Sequence, residues 1–133
     1  MKLAVPVKMN KENPPVAPLF GKAKWFAIVD SKSGKSEIVP NDYSGGQAVV
    51  EWLNSIGVEV ILIQEIGTSP YQRVKEYDIA LYHTGYDRIL LNDAIKKFEN
   101  NELTLLDDTN IGEILKHHNS RNRNGHGKNR NHF

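Results

Sequence analysis

The stretch Gly57-Val-Glu-Val-Ile-Leu-Ile-Gln-Glu-Ile-Gly67, continued by Thr68-Ser-Pro-Tyr71, decides the fold. Val58 to Ile63 is a nearly unbroken apolar run rich in β-branched residues, the pattern of a strand covered on both faces. Gly67 ends the run. Ser69 then stands where a helix cap belongs, Pro70 has the φ of a first helical position, and Gln72 completes a capping box. A strand that feeds a glycine turn and then a helix leaves backbone amides free at the carboxyl end of a sheet. Open α/β folds bind ligands there. Taken alone, the same turn serves equally as an ordinary strand-to-helix connection, and both readings stay open.

Working outward, Ser44-Gly-Gly-Gln47 is a second capping signal. It opens a helix in which Val49, Trp52, Leu53 and Ile56 share one face, and Gly57 closes it. Before it, Lys2 to Lys8 reads as a strand with Leu3, Val5 and Val7 alternating; Pro6 cannot donate to a ladder and marks an edge or an irregularity. Lys24 to Asp30 is a second strand, and a third begins at Glu37 after the polar turn Ser31 to Lys35. So short a connection makes that pair antiparallel. After the central turn, Tyr71, Val74 and Tyr77 mark a short helix, and Asp78 to Tyr82 a further strand that ends just before His83. Asp87 is placed to cap a third helix with Leu91, Ala94, Ile95 and Phe98 on its buried face. Glu102 to Leu106 is a brief extended end. The order β, β, β, α, β, α, β, α predicts a mixed sheet with right-handed crossovers in its second half.

The chain has 133 residues, 39% of them hydrophobic and 25% charged, in keeping with one domain. No run approaches the roughly 18 apolar residues of a membrane span, and Met1 to Val5 enters a strand pattern, not a signal peptide. A cytoplasmic protein with no membrane association is the expectation. The absence of cysteine excludes disulfides, thiolate catalysis and any cluster held by the chain's own Cys ligands. Enzymatic signatures are missing as well. The first strand carries no acid on which a two-metal nuclease site could be built. Asp30, Asp42 and Glu65 fall at turns and strand ends and read as solvated charge. Gly34-Lys-Ser36 lacks the upstream glycine and the following helix of a phosphate loop.

Leu3-Ala-Val-Pro-Val7, Pro18-Leu-Phe-Gly-Lys-Ala23, Phe26-Ala-Ile-Val-Asp30, Gly46-Gln-Ala48, Leu53 to Ile63, Ile66-Gly67 and Ala94 to Leu103 occur in one order with consistent spacing. Together, over about residues 1–106, they resemble the dinitrogenase iron-molybdenum cofactor family, small proteins similar to nitrogenase cofactor-biosynthesis factors. The resemblance implies a ribonuclease-H-like α/β fold: a five-stranded mixed sheet of order 3-2-1-4-5, strand 2 antiparallel, with three helices. It implies no enzyme activity. It implies a binding or carrier protein for an iron-molybdenum or other molybdenum–sulfur cluster, with cluster donor or acceptor proteins as partners. The candidate cofactor-binding positions are Asn10, Phe20, Gly21, Gly45, Gly46, Gly67, Thr68, Ser69 and His83; Thr68 and Ser69 offer helix-start amides, and His83, just past the last strand, reads either as a ligand beside them or as plain surface. His83 is also the candidate metal ligand of the body, and Phe20 and Tyr82 would suit a sulfide surface. Family members often carry His immediately before Phe-Gly; here that position is Leu19. Phe20 also reads as a core plug, with Gly21 supplying a positive φ. A domain of the same fold that has lost its cofactor, and binds anionic partners or divalent metal through its tail, is the competing reading.

That tail is distinctive. Residues 1–115 carry a net charge of −4 and residues 116–133 a net charge of +5, histidine taken as neutral. Four of the five histidines lie in it: His117, His118, His126 and His132. Its Asn/Arg/Gly-rich composition leaves little to bury, which predicts a domain over 1–107 and a flexible basic tail over 108–133. Ile111, Ile114 and Leu115 fall on one side of a possible short helix from Ile111 to His118. The four histidines are candidate ligands for Ni²⁺, Zn²⁺ or Cu²⁺. The charge suits an anionic partner, nucleic acid for the tail included but not for the acidic body.

Overall fold

A computed structural model describes residues 1–119 of the chain. Its strands are β1 (Lys2–Val7), β2 (Trp25–Asp30), β3 (Ser36–Pro40), β4 (Val60–Ile63), β5 (Ala80–His83) and β6 (Thr104–Leu105). Its helices are α1 (Gly46–Ser55), α2 (Thr68–Glu76), α3 (Leu91–Glu99) and α4 (residues 111–119), with a 3-10 turn at Phe20–Lys22. The sheet order is β3-β2-β1-β4-β5-β6. β2 runs antiparallel to both neighbours, while β1–β4 and β4–β5 are parallel. Six strands and four helices thus replace the expected five and three. The additional strand pairs antiparallel with β5 through only Tyr82↔Leu105 and His83↔Thr104, too short to show a period in sequence.

Alternation along the strands separates two cores. Ala4, Phe26, Ile61, Ile63 and Leu81 face α1, α2 and α4, whereas Leu3, Val5, Ala27, Val60 and Leu62 face α3. All four residues of β4 are buried, as a two-faced central strand requires. Pro6 lies in the sheet's interior and not at an edge. β1 pairs with β4 only at Leu3↔Val60 and Ala4↔Ile61. Past that point the Pro6 carbonyl accepts from Ala17 N and Lys8 N donates to the Pro15 carbonyl, so an inserted segment takes over where proline has no amide to give. Gly57, at φ +87°, turns the chain out of α1 and into β4.

The helix starts differ from expectation. Gly45 and Gly67 precede α1 and α2, and no side chain caps either helix. α2 opens at Thr68, so Ser69 already lies inside its first turn. Asp87 lies three residues before Leu90, the position from which a cap would serve α3; the Asn92 amide is instead met by Asn13 Oδ1 at 2.8 Å, from a remote loop.

The packed chain continues past the boundary expected at residue 107. Ile111 and Ile114 are 5% and 4% exposed and belong to the core under α1 and α2. Asp107 Oδ1 accepts from the Thr109 amide and hydroxyl, Asn110 Oδ1 accepts from the Asp107 amide, and Tyr71 Oη donates to Asp108 at 2.7 Å. Among the described residues no helix is long and apolar enough to cross a membrane.

Candidate functional site

Beyond Ile63 the line of β4 continues through Gln64, Glu65 and Ile66, all buried. Glu65 N donates to the Pro18 carbonyl at 3.1 Å, and Phe20 N donates to the Glu65 carbonyl at 3.2 Å. These bonds bring the 3-10 turn against the end of β4, with Leu19 bridged to Glu65. Phe20 is 1% exposed and packs edge-on against Phe26 at 5.6 Å between ring centres. It is a core plug, with no free face for a ligand.

The glycines beside it serve close approach. Gly21 is not among the positive-φ residues, contrary to expectation. A Cβ there would lie 3.2 Å from Gly46 N, and one on Gly46 would lie 2.7 Å from the Pro70 ring. Gly21, Gly46 and Pro70 thus form a stack that seats the starts of α1 and α2 on the 3-10 turn. Gly45 takes the φ of +89° that admits the chain to this stack. Asn10 is exposed in the loop after β1.

The Gly67 turn presents the start of α2, with Thr68 and Ser69 exposed. A Cβ on Gly67 would lie 3.2 Å from Nε2 of His118, so the imidazole rests on the turn itself. His118 Nδ1 is 3.8 Å from Glu65 Oε1, and His117 Nε2 is 3.3 Å from Glu65 Oε2. The first two tail histidines are therefore held over the end of β4 by α4. Glu65, read from sequence as solvated, is 2% exposed. The signal was present in the alternation: Ile61, Ile63 and Glu65 occupy one face. A desolvated carboxylate here offsets the positive character that helix amides alone would give the notch.

His83 is the last residue of β5, not the first beyond it, and pairs with Ile63 and Thr104. Its Nε2 lies 3.0 Å from the Gln64 carbonyl. A carbonyl only accepts, so Nε2 carries the hydrogen and the neutral ring keeps its lone pair on Nδ1. Burial lowers the His83 pKa; the bond to Gln64 opposes this in part, and the His117 charge adds to it. Tyr86 links the two imidazoles, its ring centre 4.7 Å from His83 and 4.4 Å from His117. Burial, with Glu113 and Glu65 nearby, raises the Tyr86 pKa. Tyr82 points the other way and packs on Phe98 beneath α3.

The structure thus links Gly67 to Glu65 through His118, and His83 to Glu65 through Tyr86 and His117, at the carboxyl ends of two parallel strands, with Thr68 and Ser69 exposed beyond Gly67. Phe20, Gly21, Gly45 and Gly46 support this corner from below. His126 and His132 lie outside the described residues. Among those described, no three His, Cys, Asp or Glu side chains are arranged to hold a metal ion.

The dinitrogenase iron-molybdenum cofactor family matches residues 1–101. An uncharacterized protein of Methanocaldococcus jannaschii is 29% identical over 113 residues, covering 74% of this chain and 92% of that one. The NMR structure of a NifB-like protein from Thermotoga is 27% identical, with a TM-score of 0.69 over 79% of this chain and 92% of that one. The apo form of the orange protein from Desulfovibrio gigas shares the fold at 20% identity, with a TM-score of 0.71 over 79% of this chain and 92% of that one.

Proposed function

The chain belongs to the dinitrogenase iron-molybdenum cofactor family, and from that premise we propose that it is a non-catalytic carrier of an anionic iron-molybdenum or other molybdenum–sulfur cluster. The observation that supports this reading is the bond of the His83 imidazole, at the end of β5, to the Gln64 carbonyl, three residues before the Gly67 turn that opens α2. The amides at the start of α2 favour negative charge, and no side chain of the helix's own caps them. His83 offers Nδ1 as a neutral nitrogen donor to a metal, and Tyr86 gives an aromatic wall for the sulfide surface. Lacking cysteine, the chain would hold its guest by these contacts and release it without breaking a thiolate bond, which suits delivery between a donor and an acceptor protein.

Titration of the protein with tetrathiomolybdate, followed by visible charge-transfer absorption, tests the reading. A saturable perturbed band is expected, with affinity about tenfold lower in His83→Ala. An unchanged affinity in that variant removes His83 as a ligand. No band change at all overturns the carrier reading and leaves an interaction domain that binds anions or divalent metal through its basic tail.

A further inference from the structure

The notch is covered by α4, the last helix among the described residues. α4 has two unequal halves. Its first turns are bolted down: Asp107 and Asn110 close the entry, Tyr71 and Lys75 hold Asp108, and Ile111 and Ile114 enter the core. The last described turn, residues 116–119, has no buried apolar residue. It stands over the notch on His117 and His118, which meet Glu65 at 3.3 and 3.8 Å, while His118 lies on Gly67. A turn held by side-chain contacts alone opens far more readily than one anchored in the core. Lifting this one turn uncovers Gly67 while the core contacts of Ile111 and Ile114 persist.

We propose that residues 116–119 are a lid on the Gly67 notch, latched by His117 and His118 on Glu65, and that an anionic metal–sulfur guest and the closed lid exclude one another. This rests on the carrier reading given above. When the lid is closed, His118 occupies the place against Gly67 that the guest needs. The lid therefore lowers apparent affinity by the fraction of time it is open. Glu65 acts twice: it holds the imidazoles, and once uncovered it repels an anion. It sets both the grip of the lid and the readiness of the guest to leave.

The full chain, His117→Ala/His118→Ala and Glu65→Gln are compared in two measurements. Amide hydrogen exchange without any guest should be several-fold faster at residues 116–119 in both variants, with the sheet unchanged. Tetrathiomolybdate should bind both variants about tenfold more tightly than the parent. Unchanged exchange in both variants overturns the latch whatever the binding result. Faster exchange with weaker binding by the double variant makes the histidines guest ligands and overturns the lid. Uptake by none of the three proteins, with exchange faster as expected, overturns the carrier reading and leaves the lid nothing to guard.

Discussion

His117 Nε2 lies 3.3 Å from Glu65 Oε2, joining a helix near the end of the described chain to a carboxylate that is 2% exposed at the end of the central strand. A carboxylate so far from water must be paired to persist there, and His117 and His118 both lie within ion-pair distance of it. Glu65→Gln keeps the shape and removes the charge. It is expected to lower stability by about 1–2 kcal/mol, measured as a shift of the urea midpoint with an unchanged m-value.

Gly67→Ala separates the turn from what lies on it. The backbone there has φ −88°, which any residue adopts. The added methyl would meet His118 Nε2 at 3.2 Å and its Cδ2 at 3.5 Å, with Pro70 Cδ at 3.8 Å. The ring must give way while the turn stays unstrained. Faster amide exchange at 116–119 is expected, with a stability change under about 1 kcal/mol. A loss well above that would place the strain in the turn itself.

Gly46→Ala tests the stack beneath the site. The new Cβ would sit 2.7 and 2.8 Å from two atoms of the Pro70 ring, which is too stiff to swing aside. Forced separation of the α1 and α2 starts should cost about 1–3 kcal/mol in denaturant unfolding. Loss of guest binding should follow, since the start of α2 moves with Pro70.

Ile111→Ala asks whether α4 belongs to the fold. Ile111 is 5% exposed within the core, so its truncation should cost about 2–5 kcal/mol. Leu105→Ala, at a residue 49% exposed, should stay within about 0.5 kcal/mol. Comparable small effects at both sites would mean that α4 only rests on the body.

Much of this architecture is legible in local pattern, and the remainder lies in contacts between distant segments. The unbroken apolar run of β4, the alternation in β1 and the short turn after β2 each report burial of a nearby face. They suffice for a mixed sheet with an antiparallel β2–β3 pair and parallel crossovers, while the order β3-β2-β1-β4-β5, which the structure contains, came only with the family resemblance. β6 is two residues long and exists because β5 offers it an edge. The cap of α3 comes from Asn13, which no local spacing could indicate. The site divides in the same way. Gly67 and His83 could be read from their positions at strand ends. The His117–Glu65 contact could not, because the polar composition after Ile114 points to solvent and only the docking of Ile111 and Ile114 turns the histidines inward.

His83 makes the protein's stability depend on pH in a stated direction. Burial is the largest influence and lowers its pKa; the bond to the Gln64 carbonyl favours the charged ring and His117 disfavours it. The folded value therefore lies below that of the unfolded chain, about 6.5. As pH falls through that region the unfolded chain takes up the proton first, so stability declines from about pH 6.5 downward until the folded value is passed. Above that range His83 adds no pH dependence. His83→Gln keeps an N–H donor for the Gln64 carbonyl and removes the titration. Urea unfolding of both proteins at pH 8 and pH 5.5 should show the parent losing more stability between the two than the variant. Equal losses would mean that protonated His83 is as well accommodated in the fold as in water. Nδ1 would then not be held as the unprotonated donor a metal requires.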